Sequence, residues 1–101
     1  MPSIVQLIAN PSAFHNKKVR IIGYMNIEFE GNAIYLHRED YMRGLHKNGL
    51  WLEVPRNWLA TAACKNKSYV LLEATVNAGN AGELSLWSAG LRNVTRCMSW
   101  R

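Results

Sequence analysis

Acidic residues are scarce in this sequence. It contains 7 Asp and Glu against 12 Lys and Arg, which gives a net charge of +5 over 101 residues. Residues 84–101 contain Arg92, Arg96 and Arg101 and no acid. A positive net charge favours acidic partners such as nucleic acid. It affects solubility and the rate at which such partners are encountered, but it does not locate a binding site.

Long hydrophobic runs and a signal peptide are also missing. No apolar run approaches the roughly 20 residues that span a membrane. The first residues lack the basic start, apolar stretch and cleavage site of a secretory signal. We therefore expect a cytoplasmic protein that makes no membrane contact.

Cysteine is nearly absent. Cys64 and Cys97 are far apart, and neither has a neighbouring Cys or His at the spacing of metal ligands. This usage is typical of a reducing compartment, where both side chains serve as small buried hydrophobes. A disulfide between them is the less favoured alternative.

Nothing in the composition indicates disorder or a second domain. Hydrophobic residues make up 49% of the chain and charged residues 19%, and this balance is typical of a folded protein. A chain of this length builds one core, so we expect a single domain over residues 1–101.

The stretch from Lys17 to Glu30 alternates between apolar and polar residues, which predicts a strand from about Lys18 to Phe29 with one buried face. Gly23 interrupts it, as glycine does at the bends of small closed barrels. Before this strand, Ser3 to Ala9 has an apolar helical face, an N-cap candidate in Ser3 and a stop at Asn10-Pro11.

The remaining pattern predicts four further strands and one helix. Pro55 to Cys64 is predicted to be the helix, opened by Pro55 and closed by Lys65 to Lys67. Residues 77–82 have the composition of a loop, and residues 38–49 that of a long loop that has room for one helical turn. The strands are expected at 33–37, 50–54, 69–76 and 84–87, with residues 88–101 as a less clear segment that returns to close the sheet.

The resulting order is strand, strand, strand, helix, strand, strand. It predicts a mainly β protein, a small OB-fold-like five-stranded barrel with a short N-terminal helix and one helix between strands 3 and 4. A roll of the SH3 type is ranked second, because it would lack the helix at Pro55 to Cys64.

Several short motifs support this fold by resemblance. They are Leu7, Asn10-Pro11, Phe14, Asn16-Lys17, Val19, Ile21, Gly23-Tyr24, and later Ala33-Ile34-Tyr35-Leu36, Asn48-Gly49-Leu50-Trp51-Leu52 and Ser88-Ala89-Gly90-Leu91. Together they resemble small bacterial proteins of OB-like fold, most of them without an assigned function. The resemblance implies an OB-like domain and no activity, because a fold alone does not specify one.

Three aromatic residues, Tyr24, Tyr35 and Trp51, fall on the outward parity of the first three strands. In an OB-fold this outer surface is where oligonucleotides lie, and aromatic rings stack on bases. The cations that would follow the phosphates are Lys17, Lys18, Arg20, Arg38, Arg43 and Lys47. The favoured alternative is that the rings pack against the N-terminal helix or a second subunit.

Two other groups are weaker candidates. His37, Glu39, Asp40 and His46 have the ligand types of a metal site, but a solvated charged loop is commoner. The C-terminal segment contains Arg92, Arg96, Trp100 and Arg101, and arginine and tryptophan are both enriched in binding hot spots. A solvated basic edge is again the commoner outcome.

No catalytic arrangement emerges from the sequence. Ser85, Ser88 and Cys64 have no base at an interpretable spacing, and Gly79 and Gly82 do not form a phosphate loop. We therefore expect a non-enzymatic module without cofactor or metal, which binds a protein partner or itself through exposed aromatics. Single-stranded nucleic-acid binding on the same face is the alternative.

Overall fold

A computed structural model of the chain describes residues 2–28 and 31–100. Five strands run along this part of the chain: β1 (Lys18–Asn26), β2 (Ala33–Tyr35), β3 (Gly49–Leu52), β4 (Ser68–Asn77) and β5 (Gly90–Ser99). Three short helices are α1 (Ile4–Ala9), α2 (Arg38–Met42) and α3 (Trp58–Thr61). Single 3₁₀ turns occupy Pro11–Phe14, His46–Asn48 and Glu83–Ser85.

The strands close into a barrel in the order β1-β2-β3-β5-β4. All neighbours are antiparallel except β3 and β5, which pair in parallel through Trp51 with Gly90 and Leu52 with Leu91. This is the predicted OB-like barrel. Closure leaves a row of inward side chains from every strand to fill the interior.

The inward positions of the strands form one apolar core. Its β-strand members are Val19, Ile21, Met25, Ile34, Leu50, Leu52, Val70, Leu72, Ala74, Val76, Leu91 and Cys97. Helix α1 adds Ile4 and Leu7 to this core. Ser3 caps that helix as predicted, because its Oγ accepts from the Gln6 N–H while Gln6 Oε1 accepts from the Ser3 N–H.

Gly23 lies where β1 passes close to β2. A Cβ at this position would stand 2.6 Å from the carbonyl oxygen of Tyr35 and 2.8 Å from a side-chain carbon of Ile34. The strand crossing therefore requires a residue without a side chain, which is the role that its position in the alternating stretch predicts.

Several predicted boundaries are wrong. Strand β1 ends at Asn26, and the expected continuation is wrong at Ile27 and Glu28, which are not strand. The last expected strand residue, Phe29, and the turn residue Glu30 lie outside the described residues. The helix predicted from Pro55 to Cys64 shrinks to Trp58–Thr61, because Ala62 already has extended backbone angles. Within the described chain, no helix is long and apolar enough to cross a membrane.

The expected fifth strand at 84–87 is also wrong. Residues Glu83–Ser85 form a turn, and the strand that closes the barrel is Gly90–Ser99. The fifth strand of the barrel thus lies in the segment 88–101, which is predicted only to return and close the sheet. The turn leaves Leu84 and Ser85 with positive φ angles of 55° and 53°, in a region that non-glycine residues seldom occupy.

The two cysteines correct a further expectation. Cys64, just after α3, and Cys97 on β5 form a disulfide with their Cα atoms 5.5 Å apart. The favoured prediction of free buried thiols is therefore wrong, and the disulfide alternative is correct. The bond fastens the segment after α3 to the last strand.

Candidate functional site

The predicted aromatic residues do lie on the outer side of the barrel, but a second layer covers two of them. Tyr24 is 5% exposed and Tyr35 is 3% exposed, while Trp51 is half-buried. The expected exposure of Tyr24 and Tyr35 is therefore wrong. Buried in this way, these two rings cannot offer their faces for stacking on bases.

The covering layer consists of α2 and the loop between β4 and β5. Tyr41 on α2 lies with its ring centroid 5.9 Å from those of both Tyr24 and Tyr35. Trp87 on the loop lies 4.8 Å from Trp51, and its Nε1–H donates to Tyr35 Oη at 3.1 Å. We call Tyr24, Tyr35, Tyr41, Trp51 and Trp87 the aromatic cluster.

Lys47 holds the loop of Trp87 in place. Its Nζ donates to the carbonyl oxygens of Ser85 at 3.1 Å and Trp87 at 3.2 Å. The Lys47 carbonyl in turn accepts from Ser88 Oγ at 2.6 Å. Lys47, which is predicted to contact phosphate, therefore stabilises the loop that covers the aromatic cluster.

The other predicted cations do not form one track. Arg20 Nη2 lies 3.2 Å from Glu73 Oε2, and Arg43 Nε lies 3.8 Å from Glu39 Oε2. Lys18 begins β1, whereas Tyr24 lies six residues further along it, which is about 20 Å in an extended strand. Arg38 is exposed at the start of α2, and the exposed Lys17 directly precedes β1.

The candidate metal residues have a structural arrangement instead. Asp40 is buried, and its carboxylate accepts from the His37 N–H at 2.9 Å and from Asn48 Nδ2 at 2.9 Å. It therefore caps α2 and joins that helix to the turn before β3. Among residues 2–28 and 31–100, no group of three or more His, Cys, Asp and Glu side chains is placed to hold a metal ion.

The aromatic cluster forms the base of a cleft of about 340 Å³. Tyr35, Tyr41 and Trp87 line it, with His46 set edge-on to Trp87 at a centroid distance of 4.9 Å. Its rim carries the carboxylates of Glu28 and Glu83 and the side chain of Leu84, which is 88% exposed. The positions of Tyr41, Glu83 and Leu84 in this cleft could not be predicted, because no local sequence pattern indicates that their segments fold over β2.

A buried amide lies on the same side of the sheet. Asn26 is fully buried, and neither its Nδ2 nor its Oδ1 has a hydrogen-bond partner among the described residues. Asn26 shares its parity with Tyr24, which pairs with Tyr35, so all three side chains leave the same face. An unpaired buried polar group costs about 1–3 kcal/mol, and such groups are rare in folded proteins.

We expect Asn26→Leu to raise the free energy of unfolding by about 1 kcal/mol, because it removes the unpaired amide and buries apolar atoms instead. Urea unfolding followed by circular dichroism measures the change. The matched control is Asn66→Leu. The Asn66 amide bonds both Ile27 N–H at 2.7 Å and Ile27 C=O at 2.8 Å, so this variant should lose stability. Equal losses in the two variants would contradict the assignment of Asn26 as unpaired.

A second surface, which the sequence did not single out as a whole, lies outside β1, β4 and β5. The pairing places the side chains in rows across the three strands: Ile22, Leu71 and Met98 form one row, and Tyr69 pairs with Tyr24 and lies beside Trp100. Ile22, Tyr69, Met98 and Trp100 are all exposed, Trp100 by 46%. We call Ile22, Tyr69, Leu71, Met98 and Trp100 the outer apolar face.

A charged row borders this face. Glu73 lies between two arginines, with Arg20 at 3.2 Å and Arg96 at 3.7 Å from its carboxylate oxygens. The row thus carries one net positive charge next to a contiguous apolar surface.

Comparison of the chain with family models, with curated proteins and with solved structures finds no match, so the function rests on the geometry of these two surfaces.

Proposed function

We propose that this protein is a non-enzymatic protein-interaction module that binds through the outer apolar face. The exposed, contiguous rows on β1, β4 and β5 carry the proposal. Scattered apolar side chains are normal on a protein surface, whereas a contiguous patch that includes Trp and Tyr marks an interaction site. In this proposal, Tyr69 and Trp100 are the aromatic residues that contact the partner, in place of the predicted Tyr24, Tyr35 and Trp51.

The non-enzymatic part of the proposal is supported by the occupation of the candidate nucleophiles. Ser88 Oγ donates to a backbone carbonyl, and Cys64 is bonded to Cys97. Neither side chain stands ready beside a base.

The partner that this face fits best is a second copy of the chain. Consider two copies packed face to face about a two-fold axis along the row of Ile22, Leu71 and Met98. The charged row of each copy then faces the aromatic row of the other, which sets Arg96 over Trp100 and Glu73 over Tyr69. Arginine over an aromatic face is favourable, and an isologous contact of this kind is self-complementary.

The curvature of the barrel limits the size of such a contact. Two convex surfaces touch over little more than three short rows, so the interface belongs to the small class, below about 1,200 Å² in total. We therefore expect a weak, reversible dimer.

Sedimentation velocity over a wide concentration range tests this. The wild type should shift from monomer towards dimer, and Met98→Lys should weaken association by about tenfold or more, because it places a cation in the apolar row. Leu84→Lys is the control, since it also introduces a lysine at an exposed apolar residue, but on another surface. A monomer at every concentration, or equal weakening by both variants, would overturn self-association through this face.

Single-stranded nucleic acid is the second candidate for the same surface. Strands β1 and β5, which both pair with β4, carry Lys18, Arg20, Arg92 and Arg96 around one acid, Glu73. Trp100 offers a ring for stacking. Binding measured by fluorescence anisotropy should then fall by orders of magnitude between about 50 and 200 mM salt. Met98→Lys separates the two candidates, because it would weaken a protein contact but leave or strengthen a nucleic-acid contact.

The cytoplasmic location stays a prediction from the sequence. The disulfide argues for an oxidising compartment instead, because cytosolic reductants keep thiols reduced. We therefore favour an oxidising compartment, where the disulfide persists, over the cytoplasm.

A further inference from the structure

Strand β1 is open along residues 18–22 on the side that faces away from β4. β1 has 9 residues, whereas β2, its neighbour on this side, has 3 and pairs only with the end of β1. After β2 the chain turns away, because the Leu36 N–H donates to the carbonyl oxygen of Asn48 at 3.0 Å. Among residues 2–28 and 31–100, no strand pairs with this side of residues 18–22, which we call the open edge of β1.

The backbone of the open edge carries hydrogen-bonding groups without a partner strand. In an antiparallel pair, alternate residues bond the partner strand, and the residues between them face the opposite edge. The Val76 N–H donates to the Lys17 carbonyl oxygen at 3.0 Å, so the odd-numbered residues of β1 bond β4. The N–H and C=O groups of Lys18, Arg20 and Ile22 therefore face the open edge, where the described part of the chain offers them no backbone partner.

A groove of about 510 Å³ lies beside this edge, between β1 and α1. Its lining includes Ile22, whose side chain is 41% exposed, and the half-buried Leu36 and Leu71. The volume falls within the range of roughly 300–1,000 Å³ that is usual for binding clefts. A row of free backbone groups next to accessible apolar side chains is the arrangement that binds an added β-strand.

The charges on the open edge select among possible strands. The side chains of Lys18 and Arg20 are exposed on the same side of β1 as Ile22. Glu73 is the single acid of β1, β4 and β5, and Arg20 and Arg96 share its carboxylate. Two copies of this edge would bring cations together, which is unfavourable, whereas acidic side chains opposite Lys18 and Arg20 are favourable.

We propose that the open edge of β1 binds an extended acidic segment of another protein, which adds a strand antiparallel to β1 in line with β2. Its backbone bonds the free groups of Lys18, Arg20 and Ile22. Two acidic side chains lie opposite the two cations, and an aliphatic side chain lies opposite Ile22 in the groove. Antiparallel pairing is the direction of β2 on this edge and is the more stable one per residue. The site does not depend on self-association through the outer apolar face, although Ile22 and Leu71 belong to both surfaces.

Nuclear magnetic resonance titration of the intact chain, at a concentration where it sediments as a monomer, tests the proposal. The probe is a blocked peptide, Ser-Val-Val-Glu-Val-Glu-Ser, whose first valine is placed opposite Ile22 and whose glutamates are opposite Arg20 and Lys18. We expect saturable shifts of the Arg20 and Ile22 amide signals and slower exchange of both amides with solvent. The amides of Val19 and Ile21 already bond β4, so their exchange rates should stay unchanged.

Two N-methylated forms of the peptide show whether the backbone is what binds. Methylation of both glutamate nitrogens removes N–H groups that face β1, so saturable binding should be lost. Methylation of the second and third valine nitrogens removes the same number of N–H groups from the far edge, so binding should remain. Equal binding of the two methylated forms would overturn the added strand.

Variants of the chain locate the site. Lys18→Glu should weaken binding of the peptide by about fivefold, the scale of one cross-strand charge pair. Lys65→Glu is the control, because it makes the same change at an exposed lysine after α3 and should leave the affinity unchanged. Met98→Lys, which disrupts the outer apolar face, should not weaken binding. No saturable shift, equal weakening by the two glutamate variants, or loss of binding in Met98→Lys would overturn the proposal. Each of these outcomes leaves the sedimentation test of self-association to stand on its own result.

Discussion

Reduction of the Cys64–Cys97 disulfide should lower the free energy of unfolding by about 3–4 kcal/mol. The bond closes a loop over a sequence separation of 33 residues. In the chain-entropy model, a cross-link over a loop of this length restricts the unfolded chain by about this amount. For a domain whose total stability falls in the usual range of about 5–15 kcal/mol, this is a large share.

The native structure indicates which region loosens first. The bond joins the segment after α3 to β5, and α3 itself spans only Trp58–Thr61. A single helical turn has almost no stability of its own. Without the bond, the segment from Pro55 to Lys67 is held to the barrel by the packing of Trp58, Leu59 and Ala62 and by the hydrogen bonds of Asn66 to Ile27. It has no continuous ladder of the kind that joins β1 and β4, so its amides should exchange with solvent before those of the two strands.

Urea unfolding with and without a thiol reductant measures the effect. The control is the double variant Cys64→Ser/Cys97→Ser, which should match the reduced protein and be indifferent to reductant. A reduced wild type as stable as the oxidised one would contradict the prediction. It would mean that packing alone holds this segment.

The parts of the fold that could be predicted from the sequence are those where alternation is unbroken. Strand β4 alternates from Ser68 to Asn77 without interruption, and its predicted and observed limits differ by one residue at each end. Strand β5 could not be predicted, because its ladder is irregular. Thr75 pairs with Arg92 and Glu73 with Arg96, so two extra residues lie on β5 in a bulge that shifts the alternation.

For the aromatic cluster too, only the features that depend on local alternation could be predicted from the sequence. Parity alone places Tyr24 and Tyr35 outside the barrel, and this is what the structure has. What covers them is decided by contacts across long sequence distances, such as the hydrogen bond between Trp87 and Tyr35, 52 residues apart. Local patterns carry no information about such contacts, so an outward ring and an exposed ring cannot be told apart from sequence.

Gly82→Ala should cost about 3 kcal/mol or more and disrupt the aromatic cluster. Gly82 has φ 74° and ψ −164°, a conformation that is essentially restricted to glycine. A Cβ there would stand 2.5 Å from Trp51 Cε3 and 2.7 Å from Trp87 Cε3. Both rings are packed together, so neither can retreat without opening the cluster. Thermal unfolding and tryptophan fluorescence together measure the loss.

The same loop supplies the control for this substitution. A Cβ at Gly79 would meet only Asn77 Oδ1, at an ordinary contact distance of 3.6 Å. Gly79→Ala should therefore be neutral or slightly stabilising, since alanine restricts the unfolded chain. If both variants unfold at the same temperature as the wild type, the loop does not seat Trp87 as described. If only Gly82→Ala loses stability and its fluorescence shifts towards that of solvated tryptophan, the glycine is what allows the loop to close over β2.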